Sequence, residues 1–161
     1  MRVAILTISD SVSRGKREDT SGPALRERCR QLGWNVIAEQ VLADEAVSIR
    51  EWLVSLADGG TAELVLTTGG TGISMRDVTP EATRAVLEKE LPGFGEIMRV
   101  QSFARVRTAI LSRAVAGTRG ACLIVNLPGK PSAVRECLEI LAPAIREGLA
   151  HLRGENPHEQ K

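Results

Sequence analysis

The sequence has no tyrosine, and just two Trp and two Phe among its 161 residues. Single-stranded nucleic acid is held by stacking bases on aromatic side chains, so this shortage argues against that function. Charge of either sign is not in excess: 21 Lys and Arg against 20 Asp and Glu leave a net +1. With no global basic field, neither nucleic acid nor an anionic membrane is an expected partner. No apolar run approaches the roughly 20 residues that cross a bilayer. Histidine is nearly missing. His151 and His158 both stand near the C-terminal end, where solvated side chains are the expectation. Without a nucleophile–His pair, covalent catalysis is not favoured. The three cysteines, Cys29, Cys122 and Cys137, form no C-x-x-C pair. They read as small buried hydrophobes of a reducing compartment. Met1-Arg2 leads straight into a strand-like run, so no signal peptide and a cytoplasmic location are expected.

What remains is the composition of a globular domain with a full core. Val3 to Ile8 is almost continuously apolar, as in a parallel strand buried on both faces. Ser9 to Asp19 reads as a long polar loop. A helix is predicted over Pro23 to Leu32, with Gly33 as its stop, and a strand over Trp34 to Leu42. Glu45 to Ala57 is helical, and Leu64 to Thr67 is a strand. Pro80 to Leu91 is helical, with Thr79 able to cap it; Gly93 to Phe103 is a shorter helix. Ala109 to Leu111 and Cys122 to Val125 read as strands. Pro131 to Leu152 is a long final helix that Pro143 can kink. One domain is expected over 1–153, followed by a polar tail at 154–161. Strands that alternate with helices predict a three-layer α/β/α sandwich with a mostly parallel, mixed sheet.

Ligands of such sheets bind beyond the carboxyl ends of the strands. Four polar segments follow strands: Ser9 to Asp19, Ala43 to Glu45, Thr67 to Asp77, and Asn126 to Ser132. In the third, Thr67-Thr68-Gly69-Gly70-Thr71-Gly72 can bring bare backbone N–H groups against a phosphate. It is neither a Walker A loop nor a dinucleotide fingerprint. The plain alternative is a turn that needs glycine to reverse the chain. Asp44 and Asp77 each stand at or before a helix start, where a capping carboxylate is common. Converging beside a phosphate loop, the two become candidate Mg²⁺ ligands, direct or through water. Asp10 and Asp19 are weaker members of that set. Asn126-Leu127-Pro128-Gly129-Lys130-Pro131-Ser132 offers a stiff turn, an amide, a cation and a helix N-terminus. Ser112-Arg113 adds a hydroxyl and a cation behind the strand expected at 109–111.

These residues resemble a known family. Thr68-Gly69-Gly70-Thr71-Gly72 followed by Arg76-Asp77-Val78-Thr79-Pro80-Glu81-Ala82-Thr83 is similar to the molybdopterin-binding family of molybdenum cofactor biosynthesis. That family includes the bacterial MogA and MoaB proteins and the gephyrin-type G domains. Ile8-Ser9-Asp10, Asp19-Thr20-Ser21-Gly22, Pro92-Gly93-Phe94-Gly95-Glu96, Leu111-Ser112-Arg113-Ala114 and Asn126-Leu127-Pro128-Gly129 extend the likeness over nearly the whole chain.

The resemblance implies Mg²⁺-dependent transfer of AMP from ATP to the terminal phosphate of molybdopterin, with release of pyrophosphate. It makes Asp44 and Asp77 the functional pair. It places Ser9, Asp10, Ser112, Asn126 and the Gly69 to Gly72 turn at the pterin and nucleotide sites, with Lys130 or Arg113 offsetting charge. A homotrimer or hexamer is implied. So is a separate metal-insertion protein that takes the product, since no second domain follows. The alternative that the MoaB branch raises is a molybdopterin carrier without catalysis.

Overall fold

The computed structural model describes residues 1–155; the remainder of the expected polar tail, with His158, lies outside the described residues. Six strands form one sheet: β1 (Arg2–Ile8), β2 (Asn35–Leu42), β3 (Leu64–Thr68), β4 (Lys89–Glu90), β5 (Ala116–Arg119) and β6 (Cys122–Leu127). Their order is β2-β1-β3-β6-β5-β4. The first four in that order run parallel, while β5 is antiparallel to β6 and β4 to β5. The helices are α1 (Asp10–Ser13), α2 (Ser21–Gln31), α3 (Ala46–Asp58), α4 (Thr79–Arg84), α5 (Pro92–Phe103) and α6 (Pro131–Leu152), with a 3₁₀ turn at Arg107–Leu111.

Strand alternation sorts the core onto two faces. Val3, Ile5, Leu64, Leu66, Leu123 and Val125 point to α2, α5 and α6. Ala4, Leu6, Ile8, Val65 and Ile124 point to the opposite layer, where Ile49 and Leu53 of α3 and Ala82 of α4 lie. This is the three-layer sandwich that the alternating pattern predicts. Helix α6 supplies the longest stripe, Val134, Cys137, Leu138, Leu141, Ile145 and Leu149, all buried. It runs on past Pro143, which faces solvent. Cys29, Cys122 and Cys137 are free thiols in the core, as expected. Burial pushes Cys29 and Cys122 up to about 12.

Four expectations are corrected. The segment Ser9 to Asp19 is not all loop, since Ser9 accepts from the Val12 N–H and caps the one-turn α1. Ala109 to Leu111 is not a strand. It belongs to the 3₁₀ turn, and Ile110 and Leu111 are exposed, so its apolar letters do not face the core. The strand of that region is Ala116–Arg119, whose Ala-Gly-Thr-Arg lettering has no β signature. Pairing with β6 and β4 makes it a strand; a Cβ on Gly117 would meet the Lys89 carbonyl oxygen. The helix expected to reach Leu91 stops at Arg84. Beyond it the chain turns into the sheet, with Glu88 N donating to Thr118 O at 2.8 Å and Leu91 N to Ala116 O at 2.7 Å. Thr79 does not cap α4 with its side chain; its hydroxyl donates to the Gly69 carbonyl at 3.0 Å.

The register matters for function. Ile8 pairs with Leu42, Thr7 with Thr68, and Thr67 and Thr68 with Asn126 and Leu127. The carboxyl ends of β1, β2, β3 and β6 are therefore level, and the four following segments open on one edge.

Candidate active site

The turn after β3 is left-handed twice, with φ +96° at Gly69 and +64° at Gly70. A Cβ at Gly69 would meet the Ile8 carbonyl oxygen, and one at Gly70 the Thr79 hydroxyl. Side chains are excluded there on both conformational and steric grounds. The turn is pinned from three sides. Gly69 N donates to Leu127 O at 3.3 Å and Thr79 N to Gly70 O at 3.1 Å. Thr68 Oγ1 donates to Pro128 O at 2.7 Å. The N–H groups of Gly70, Thr71 and Gly72 donate to no group among the described residues. Three fixed, unused donors in a row suit an anion.

On one side of this turn lies a polar cavity of about 320 Å³, lined by Ser9, Asp44, Gly69, Gly70, Asp77 and Lys130 together with Thr7, Arg17, Asp19 and Ser21. Asp44 and Asp10 are bracketed reciprocally. Asp10 N donates to Asp44 Oδ2 at 2.9 Å, and Asp44 N to Asp10 Oδ1 at 3.2 Å. Asp77 accepts from Ser74 N at 2.8 Å. Among the described residues neither Asp44 nor Asp77 has a cation within ion-pair distance. Burial, then the negative charges of Asp10 and Asp77, raise Asp44 above the usual carboxylate value. Asp10 behaves oppositely. Arg76 donates to both of its oxygens, at 2.9 and 3.0 Å, and holds it down to about 2.

On the other side lies a larger, mainly apolar cavity of about 440 Å³. Met98, Val106, Leu111 and Ala133 give it apolar walls, and Thr71, Gly72, Ser112 and Pro128 also line it. Its polar groups sit at intervals. Arg105 donates to Glu136 at 2.8 Å, and Arg99 to the Ser112 carbonyl at 3.1 Å. Gly129 and Lys130 line both cavities.

Residues 4–147 match the family model described as a probable molybdopterin binding domain. The chain belongs to this family. A relative from Helicobacter pylori, strain J99, named molybdopterin adenylyltransferase, is 48% identical over 147 residues, which cover 90% of this chain and 84% of the relative. The Escherichia coli K12 protein of the same name is 44% identical over 153 residues, covering 94% and 78%. Among solved structures, the molybdopterin biosynthesis enzyme MoaB from Thermus thermophilus superposes with a TM-score of 0.89 at 44% identity, covering 96% of this chain and 97% of that one.

Against this family background the individual residues divide. Ser9, Asp44, Asp77, Gly69 and Gly70 meet at the polar cavity, and Thr71, Gly72, Ser112 and Pro128 at the apolar one. Four residues expected at the site line neither. Asn126 is wholly buried. Its amide donates to the hydroxyls of Thr67 and Thr83 at 3.0 and 2.9 Å and accepts from Val115 N at 3.3 Å, so it joins β6 to β3, α4 and β5. Thr68 is spent on the Pro128 carbonyl. Arg113 donates to the backbone oxygens of Gly72 at 2.7 Å and Asp77 at 2.8 Å and pairs with Glu81, which makes it a brace of the loop. Asp10 is neutralised by Arg76. Asp19 reaches the polar cavity, but its carboxylate is taken by Ser21 N, Gly22 N and the Thr7 hydroxyl. Arg99, Arg105 and Glu136 line the apolar cavity unannounced. Arg99 and Glu136 stand on helix faces whose spacing marks only the buried side, and Arg105 lies in the turn after α5.

The donors suit a divalent cation. No group of three or more His, Cys, Asp or Glu forms a metal cage among the described residues. Two carboxylates without a cation partner, one of them raised by burial and then by its like-charged neighbours, are what Mg²⁺ uses when phosphate and water oxygens complete its shell.

Proposed function

We propose that this chain transfers AMP from ATP to the terminal phosphate of molybdopterin and releases pyrophosphate. The observation that carries the reading is the meeting of Asp44 and Asp77, from two different loops, beside the unused N–H groups of the glycine turn. The names of the Helicobacter and Escherichia relatives support it.

The nucleophile is a phosphate monoester oxygen, largely ionised at neutral pH because its second pKa is about 6. The site needs no strong base, and none of the described residues at the polar edge is histidine. The oxygen attacks the α-phosphorus of ATP in line; the P–O bond to the β-phosphate breaks, and pyrophosphate leaves with that electron pair. The protein contributes positioning and charge neutralisation. Asp44 and Asp77 would hold Mg²⁺, which supplies positive charge against the phosphate oxygens. Gly70, Thr71 and Gly72 N–H groups hold a phosphate. Lys130, exposed and bordering both cavities, offsets the charge that develops between them. The apolar cavity accepts a planar ring, and the polar one the polyphosphate.

The rest of the reading follows the family. Residues 1–153 act as one domain in a homo-oligomer. The exposed Ile97, Val100 and Ile110 on α5 and the 3₁₀ turn give copies an apolar surface to share. No described helix is long and apolar enough to cross a membrane. Three buried thiols fit a reducing cytosol. A separate metal-insertion protein receives the product.

The test is to incubate the purified chain with molybdopterin, ATP and Mg²⁺. Adenylylated molybdopterin and an equal amount of pyrophosphate should appear, and chelating the metal should stop both. Tight molybdopterin binding with neither product would replace catalysis by a carrier role.

A further inference from the structure

We infer that Arg76 is a positioning residue: its guanidinium clasps the loop that carries Asp77 to the strand ends that carry Asp10 and Asp44, and so sets the spacing of the two carboxylates. The inference rests on the functional reading above, in which that pair holds the cation.

The loop from Ile73 to Arg76 lies on the surface. Ile73 is 68% and Met75 99% exposed, so no side chain of this stretch is anchored in the core. What fixes it is polar. On the side of β5, Arg113 holds the backbone at Gly72 and Asp77. On the opposite side Arg76 does the holding. Its Nε and Nη2 donate to the two oxygens of Asp10 at 2.9 and 3.0 Å, and Nη2 also donates to Glu45 at 2.7 Å. Among the described residues no other side-chain bond joins residues 73–77 to residues 43–45. Asp10 and Asp44 exchange backbone-to-carboxylate hydrogen bonds, so whatever fixes Asp10 fixes Asp44. A chain of contacts thus runs from Arg76 through Asp10 to Asp44, while Arg76 is next to Asp77 in sequence. A forked, planar donor can grip both oxygens of Asp10 and Glu45 at once; an ammonium cannot.

Arg76 is about half exposed, and ion pairs of that kind add little to global stability. Its effect should therefore fall on cation binding and not on folding. In the full chain, Arg76→Gln should weaken Mn²⁺-dependent binding of an ATP analogue with a non-cleavable α–β bridge by about tenfold or more, the range typical of groups that orient metal ligands. The Mg²⁺ concentration for half-maximal adenylylation should rise by a similar factor. The thermal midpoint should move by less than about 3 °C. Arg76→Lys should recover only part of the affinity. In an Asp10→Asn background, Arg76→Gln should cost little more, because the contact through which it acts is already altered. Wild-type affinity in Arg76→Gln, or an undiminished loss in the Asp10→Asn background, overturns the role of Arg76 alone. If the wild-type chain binds the analogue without dependence on metal, or Asp77→Asn binds it as the wild type does, the cation assignment fails and the role of Arg76 with it.

Discussion

The two cavities border the same two turns, yet they are built by different means. The polar one is made by the segments that follow β1, β2, β3 and β6, and its character comes from charge: Asp19, Asp44 and Asp77 with Arg17 and Lys130, beside the unused Gly70 N–H. The apolar one is made by α5, the 3₁₀ turn and the start of α6, and its character comes from surface: Met98, Val106, Leu111 and Ala133, with ion-paired arginine at the rim. Strand ends deliver polar groups at fixed height, which suits a reacting phosphate. Helix faces deliver area, which suits holding a ring. The difference suggests that the polar side governs turnover and the apolar side governs binding.

The sharpest test of that division is Asp77→Asn. Adenylylation should fall by about 10²–10³-fold, as when one charge-stabilising group is removed, with little change in molybdopterin affinity. Asp44→Asn should lose activity comparably and yet keep or gain stability. The sign follows from the raised value of Asp44: its proton is held more tightly in the folded chain, so its contribution to stability falls as pH rises through the carboxylate range. Asp10, Asp58, Glu63 and Glu155, all held low, push the other way, so the test is the difference: in urea titrations the stability of Asp44→Asn relative to the wild type should grow as pH rises through that range.

A second test concerns residues that support the cavities without lining them. Asn126→Ala leaves two buried hydroxyls and an N–H short of a partner, and should cost about 2–3 kcal/mol in chemical denaturation. The protein that stays folded should turn over within about threefold of wild type; a loss like that of Asp77→Asn would return Asn126 to the site. Lys130→Ala touches both cavities and should reduce kcat/KM by about tenfold, because on the proposed reading it removes one exposed cation beside the phosphates. The smallest effect is expected of the thiols. At pH 8 none of the three should react with a disulfide reagent in the native chain, and all three should react once it is denatured.

The polar cavity was legible in the sequence because its parts are local. A strand that ends in glycines at Gly69 and Gly70, or one followed by Asp44, announces itself by type and position. The parallel half of the fold was legible for the same reason, since strands buried on both faces are continuous apolar runs. The other half was not. Ala116–Arg119 is a strand only because β6 and β4 flank it, and Ala109 to Leu111 has strand letters on an exposed turn. Asn126 shows the same limit at a single residue. Its type and place at a strand end suggest a ligand, and its contacts with Thr67 and Thr83 make it a buried tie. Arg105, in the turn after α5, meets Glu136 of α6 across 31 residues, which no spacing rule joins.

Gly129 faces Gly69, and a Cβ there would stand 3.4 Å from the Gly69 Cα, in ordinary van der Waals contact. Backbone alone separates the two cavities at that point. Gly129 lines both cavities, so a phosphate held against it on one side would lie beside the backbone that bounds the other. A methyl group added at Gly129 fits against Gly69 without displacing it, so the chain can lose this glycine and keep its fold.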